Sequence, residues 1–494
     1  MLNLQPSYVP RAGEIVLWTP SLEGELSWNH DEKCAQAYSS TKKQWLGIPE
    51  WRAGVIGQTP EEETVLMDLV ETTRKVQRVN YSGFRVETFP DPISDDKSYS
   101  LHYNYVHLKC IKPFNTWELF LQRVPREKLH PSIEHALTTM SSFSLVDKYH
   151  FKGIWPNASI YSQGIFIGAE LLVVGDAVRL KPAGYMGGSG GGQRGQVTDI
   201  MVIESIRNEL ISCIDDADSE QLASKYAVRI QGPVYTTSRN RAAQAGLSSS
   251  SNGGGKIPPK PLEHDEVVNA FYYVGMSSYG DWYRLHSPDI KVEVSQDMIL
   301  GRCYEFDAME ILFGSHAFGL DLHGVENARN YSRQVDERIP EGKDWYWGDF
   351  RTQTLALDSL NGQDVGYSSE ARDARLWNTS LKVIDGMPSD LGDANNMGTA
   401  GGAGGDLNHQ FPPEPRSSFT KLNKTSSLVS SGLGAATEMS TAEEENKYGY
   451  SEDSEEDEDF SFQVPYIRGG TEETELGDYV PGNLRKSKKA KHKK

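Results

Sequence analysis

The sequence predicts an α+β protein rich in strand, and three observations carry that expectation. Apolar runs of strand length, bounded by glycine, proline and other turn residues, recur from Ile15 to Ile299. Segments with helical spacing interrupt them and are short. From Gly392 the chain turns to Gly, Ala, Ser, Asn and Thr, and then to blocks of like charge. The expected architecture is a small barrel over 1–60, a mixed α/β module over 61–150, a larger β-barrel domain over 154–390 and a disordered charged tail over 391–494.

Taken in order, RAGEIVLW and WRAGVIGQTP read as two strands separated by a polar excursion. With a Trp closing the first and opening the second, they resemble the start of a small SH3-like or Tudor-like barrel. Trp18, Trp28, Trp45 and Trp51 supply rings for a cation–π cage around a methylated ammonium, although rings in a small barrel more often fill its core. Next, EEETVLMDLVETTRKVQRV begins with acids and ends with bases, as a helix dipole favours. YSGFRVETFP and YVHLKCIKPF read as strands, and TWELFLQRV and HPSIEHALTTM as helical turns. Arg74, Lys75, Arg78 and Arg85, with Tyr81 and Phe84, form a run without an acid between Glu71 and Glu87, the composition of a phosphate-backbone contact. Lys109, Lys112, Arg123, Arg126 and Lys128 extend it.

The third region holds IFIGAELLVVGDAVRL, VTDIMVIESIR, KYAVRIQGPVY, VVNAFYYVG and WYRLHSPD, all expected as strands. Asp176 follows Gly175 at a turn, where its carboxylate can accept local amides. Two low-complexity inserts, 182–196 and 238–261, interrupt the run. The first lacks GxxxxGK[ST] and lies between strands, so it is a hairpin loop and not a phosphate loop. Closure entropy grows only logarithmically with loop length, so both load the domain lightly.

Composition narrows the function classes. A length prior of roughly 100–200 residues per domain allows two to four, and 37% hydrophobic residues with 10 Trp and 23 Tyr can fill real cores. A formal net charge of −19 excludes a general nucleic-acid-coating surface and confines any DNA contact to a patch. Cys34, Cys110, Cys213 and Cys303 are far apart with no CxxC, which points to buried reduced thiols instead of zinc or disulfides. The amino terminus lacks a secretory pattern. The most apolar stretch, GIFIGAELLVVGDAV, carries Glu170 and Asp176 and falls short of the ~20 residues of a spanning helix, so a soluble, unexported protein is expected.

The tail carries seven acids between Glu452 and Asp459, then seven Lys and Arg between Arg485 and Lys494. Lys488, Lys489 and Lys491 have the charge density that nuclear import receptors read. Phosphorylation of Ser451 or Ser454 adds to the acidic block, which suits basic partners such as histones.

GAELLVVGDAVRL, the returning VTDIMVIESI, DWYRLHSPD and MILGRCYEFDAME together resemble a bromo-adjacent homology (BAH) domain. With PRAGEIVLW and GVENARNYSRQVDERIPEGKDWYWGDF added, the chain is similar over roughly residues 7–390 to the fungal cryptic loci regulator family of transcription-silencing proteins. The resemblance implies a non-catalytic scaffold in nuclear heterochromatin that joins a histone deacetylase to a Snf2-type remodeller near nucleosomes. It also implies a methyl-CpG-binding-like module, which only 61–150 with its Arg74–Arg85 stretch accommodates. A further amino-terminal domain of the family is expected ahead of PRAGEIVLW, where this sequence does not supply it.

An alternative is a stand-alone BAH-type reader of a modified histone tail, with a cage drawn from Tyr272, Tyr273, Trp282 and Tyr283, or from Trp345 or Trp347. Catalysis finds little support. His102 with His107, and His316 with His323, lack HExxH spacing, GxSxG is absent, and Asp321, Asp344 and Asp349 form no recognisable pair. No metal, cofactor or membrane partner is indicated.

Overall fold

The computed structural model describes residues 5–73, 83–93, 103–182, 185, 196–214, 222–245, 259–348, 351–355, 359–360 and 363–364. Its first half centres on a five-stranded antiparallel sheet. The strands are β1 (Ile15–Trp18), with β2 (Glu25–Asn29), β3 (Cys34–Ser39) and β4 (Gln44–Gly47) forming a separate small sheet, then β5 (Arg52–Gln58), β6 (Phe84–Thr88), β7 (Tyr103–Val106) and β8 (Ile111–Pro113). The large sheet has the order β7-β6-β5-β1-β8. The division expected at residue 60 therefore falls between two strands of one sheet, since β5 ladders onto β6.

β1 reads IVLW with all four residues buried, which demands cover on both faces. Ile15 and Leu17 share one core with α1 (Trp117–Leu121) and α2 (Pro131–Thr138). Val16 and Trp18 point the other way, into a core with Ala308 and Met309, nearly three hundred residues downstream. The small barrel expected of residues 1–60 is instead the centre of an open sheet clad from both sides, because those residues alone cannot cover it. The helix expected after Glu61 is, within the described residues, a single 3₁₀ turn over Leu66–Leu69.

The second half wraps one large core with two sheets. β9 (Ser142–Ile154), β10 (Asn157–Ile167) and β11 (Glu170–Val173) open it, and β12 (Ala177–Leu180) pairs with β13 (Asp199–Val202) as the hairpin around the glycine-rich insert. β14 (Ser205–Cys213), β15 (Ala223–Gly232), β16 (Val234–Thr236), β17 (Tyr283–Arg284), β18 (Val292–Val294) and β19 (Ile299–Arg302) follow, and β20 (Tyr346–Trp347) adds to β9. One sheet runs β18-β15-β14-β10-β9-β20 with β11 on β10, the other β17-β16-β13-β12-β19. The chain crosses between them at Ile203–Glu204 and again at Pro233, so VTDIMVIESIR and KYAVRIQGPVY each supply one strand to each sheet. Ile165, Val178, Met201, Ile206, Val228 and Val234 fill the core between them. Among the described residues this is a half-barrel of two open sheets and not the closed barrel expected.

Helices finish the body. α3 (Arg239–Gln244) starts at the Ser238 cap, and α4 (His264–Ala270) lies where VVNAFYYVG was expected as a strand. Asp265 and Glu266 occupy the first turn of α4, and the Glu266 carboxylate accepts the Glu263 N–H at 3.0 Å, a reciprocal start that outweighs the β-branched valines. α5 (Phe306–Phe313), α6 (Leu322–Val335) and α7 (Arg351–Leu355) complete the series. No helix among the described residues is long and apolar enough to cross a membrane.

Candidate functional site

The densest chemistry among the described residues is a buried set of guanidiniums and carboxylates where the two halves meet. Asp176 sits at the β11–β12 turn after Gly175, whose φ of 99° suits glycine, and accepts the Val173 N–H at 2.8 Å, as the sequence leads one to expect. The same carboxylate takes both nitrogens of Arg11, at 2.6 and 2.8 Å. Glu14, ahead of β1, accepts Arg302 of β19 at 2.6 and 3.1 Å and the Leu171 N–H at 2.9 Å. Arg179 of β12 grips Asp321, the residue that opens α6, with both nitrogens, one at 2.8 Å.

All six of these side chains are buried, so their charge is matched within the fold instead of offered to a ligand. Glu170 shares Arg302 with Glu14 and also accepts Tyr304 and Asn115. Burial pushes its carboxyl above the usual range, against the pull of Arg302. A cavity of about 30 Å³ lies beside it, room for a water or two. The cluster was not legible in the sequence beyond Asp176; the signal available was charged residues inside apolar strand motifs, PRAGEIVLW and LGRCYEF, which such positions tolerate only when paired.

Of the residues expected to meet DNA, Arg74, Lys75 and Arg78 lie outside the described residues, as does Tyr81. Arg85 is on β6 with its guanidinium over the Tyr103 ring at 3.8 Å and 3.3 Å from Glu87, so its charge is already engaged. Lys112, expected with the basic surface, is buried, because β8 places it opposite Leu17 inside the sheet. Desolvation lowers its ammonium to about 8. Lys488, Lys489 and Lys491 lie outside the described residues.

The four rings expected as a cage are not brought together. Trp282 is fully buried, donates to the Met276 carbonyl at 2.8 Å and packs on Phe271, and Tyr283 is buried as well. Tyr272 and Tyr273 are 74% and 42% exposed and stand nearly perpendicular, with centroids 5.2 Å apart. Trp345 and Trp347 are occupied elsewhere, the first under Arg329 and Arg333, the second against Phe143 and Tyr226. Trp18 and Trp51 are core residues and Trp45 is exposed beside Tyr38.

The histidines of the metal reading are apart in role. His316 stacks on Phe306 at 3.6 Å and faces Glu310, while His323 meets Glu118 at 2.8 Å. Asp321 is the partner of Arg179, Asp344 is exposed and Asp349 lies outside the described residues. No group of three His, Cys, Asp or Glu that could hold a metal ion occurs among the described residues. All four cysteines are buried and unpaired, as expected.

Comparison with known proteins adds the family. Residues 161–305 match the family model of the transcription-silencing protein Clr2, which bears out the resemblance to cryptic loci regulators over that stretch. The matched segment runs from β10 to the residue before α5 and includes Glu170, Asp176, Arg179 and Arg302. The solved structure of Clr2 bound to the Clr1 C-terminus is 11% identical, with 76% of this chain and 62% of that chain covered and a TM-score of 0.33. This chain thus spans under two thirds of that one. No curated protein matches.

Proposed function

Proceeding from the match over 161–305, we propose that the chain is a non-catalytic scaffold subunit of a nuclear transcription-silencing complex. It brings a histone deacetylase and a Snf2-type remodeller to heterochromatin, meets nucleosomal DNA through Arg74, Lys75 and Arg78, and enters the nucleus on Lys488, Lys489 and Lys491. The family match carries this reading. Geometry supports it: the buried charges are spent on joining distant segments, which suits a rigid body that works by holding partners close and raising their local concentration. Affinity purification of the tagged full-length chain with mass spectrometry tests it. Recovery of a deacetylase and a remodeller is expected; a purely cytoplasmic partner set sinks the scaffold.

One observation favours a second reading, a BAH-type reader of a modified histone tail. The exposed, perpendicular pair Tyr272 and Tyr273 offers two ring faces to a cation, though without Trp282 and Tyr283. Binding of a methylated histone peptide that is lost in Tyr272→Ala supports it, and equal binding by both proteins removes it.

A further inference from the structure

The outer face of the seven-stranded sheet carries an aromatic and basic surface that neither reading uses. Register places His150, Tyr161, Arg207 and Arg229 in one row across β9, β10, β14 and β15. Their strand neighbours Ile160, Ile206 and Val228 point into the core, so alternation turns the row to solvent. The next row is Lys152, Ser159, Glu209 and Ala227, in which the small Ser159 lies beside Tyr161 and leaves the surface next to that ring shallow. The ladder slips between Tyr161 and Ser162, and Tyr149 is the extra residue of that bulge. It is 47% exposed, with its ring centroid 6.3 Å from Tyr161, while His150 lies 5.6 Å from the same ring.

Charge around the three rings has a small positive excess in a chain whose formal net charge is −19. Lys152, Lys225, Arg207 and Arg229 face outward, against the carboxylates Glu209 and Glu293 and the exposed Asp147. Arg207 and Arg229 are each bridged by both Glu209 and Glu293, at 2.5 to 3.6 Å, so the positive excess rests on Lys152 and Lys225. These pairs hold the guanidiniums in place beside the rings and leave them partly exposed.

We propose that this face binds single-stranded nucleic acid. Unpaired bases stack on Tyr149, His150 and Tyr161, and the phosphates lie against Lys152 and Lys225. Planar rings on a shallow sheet accept the face of a base, which a duplex keeps covered by its neighbours. An acidic peptide satisfies the same charges but makes no use of three rings. This surface lies on other strands than the Arg74–Arg85 stretch, and its fate does not depend on the scaffold.

Fluorescence anisotropy of the full-length chain with a labelled oligothymidylate tests the proposal. The wild type is expected to bind, with a duplex of equal length competing poorly. Tyr149→Ala with Tyr161→Ala is expected to weaken binding by about tenfold or more at constant salt, in line with the loss of stacked bases. Lys152→Glu, at an exposed position that leaves folding intact, is expected to weaken binding and flatten its salt dependence. No binding by the wild type, or wild-type affinity in the Tyr149→Ala, Tyr161→Ala double variant or in Lys152→Glu, overturns the proposal, as does a duplex that competes equally. A peptide of residues 451–463 that binds the wild type and not Lys152→Glu, where the oligonucleotide binds neither, assigns the face to an acidic segment and overturns it as well.

Discussion

At the scale of the residue, Lys112 shows how far a side chain's chemistry depends on where its strand lies. The sequence places it in a basic group, yet β8 turns it into the sheet, where loss of water lowers its ammonium from 10.5 to about 8. A base with a depressed pKa in the folded state binds fewer protons than the unfolded chain between those values. Stability therefore rises as pH climbs from 8 to 10.5, and the penalty is fully present below 8. At neutral pH it is on the order of 3 kcal/mol. Lys112→Met is expected to raise the urea midpoint at about pH 7 and to lose the pH dependence above 8; a lower midpoint than wild type disproves the reading. Asp176 is the opposite case. Its bond to the Val173 amide is local and could be read from Gly-Asp, whereas its pairing with Arg11, 165 residues away, had no local signal.

At the scale of the element, patterns of period two found most strands but not which sheet they join. IVLW and RAGVIGQ stand as β1 and β5 because contiguous burial makes apolar runs, and FRVET stands as β6 with Phe84 and Val86 alternating with Arg85 and Glu87. KYAVRIQGPVY reads as one strand, yet Pro233 breaks the ladder and sends Val234 to the other sheet. Gly232 makes that corner: a Cβ there would lie 1.9 Å from the Val202 carbonyl oxygen, a backbone atom with no room to retreat. Gly232→Ala is expected to cost about 1–3 kcal/mol, seen as a lower thermal midpoint; an unchanged midpoint shows that the two sheets are not in tight contact there. VVNAFYYVG fails as a strand for a comparable reason. Its valines and aromatics favour extension, but the acids in front of them start a helix that buries only Val267.

At the scale of the whole molecule, buried ion pairs bind the amino-terminal segment to strands far along the chain. Arg11 and Glu14 reach Asp176 and Arg302, and Arg351 closes the circuit by donating to the carbonyls of Gly13 and Gly168 at 2.9 and 2.8 Å. Breaking one partner of such a pair strands the other charge in the interior, so Arg11→Ala is expected to cost about 3–5 kcal/mol. Arg11→Met with Asp176→Leu removes both charges and is expected to recover most of that loss in chemical denaturation, less the Val173 amide bond. Additive losses in the double variant contradict a paired cluster. Unfolding of both halves in one transition, followed by tryptophan fluorescence and circular dichroism together, is the matching expectation.

The sequence by itself determined the strand-rich α+β class, the positions of most strands, the buried free thiols and the likeness to cryptic loci regulators. These depend on local alternation, turn chemistry and motif, all of which are written along the chain. Tertiary structure alone decided that β1 and β5 to β8 share one sheet, that the later strands divide between two, and that Lys112, Trp282 and Tyr283 face inward. It also set Tyr149, His150 and Tyr161 on one outer face. Each of these is a matter of which distant strand lies alongside, and the register between strands is chosen by long-range packing of both faces, which no local spacing records.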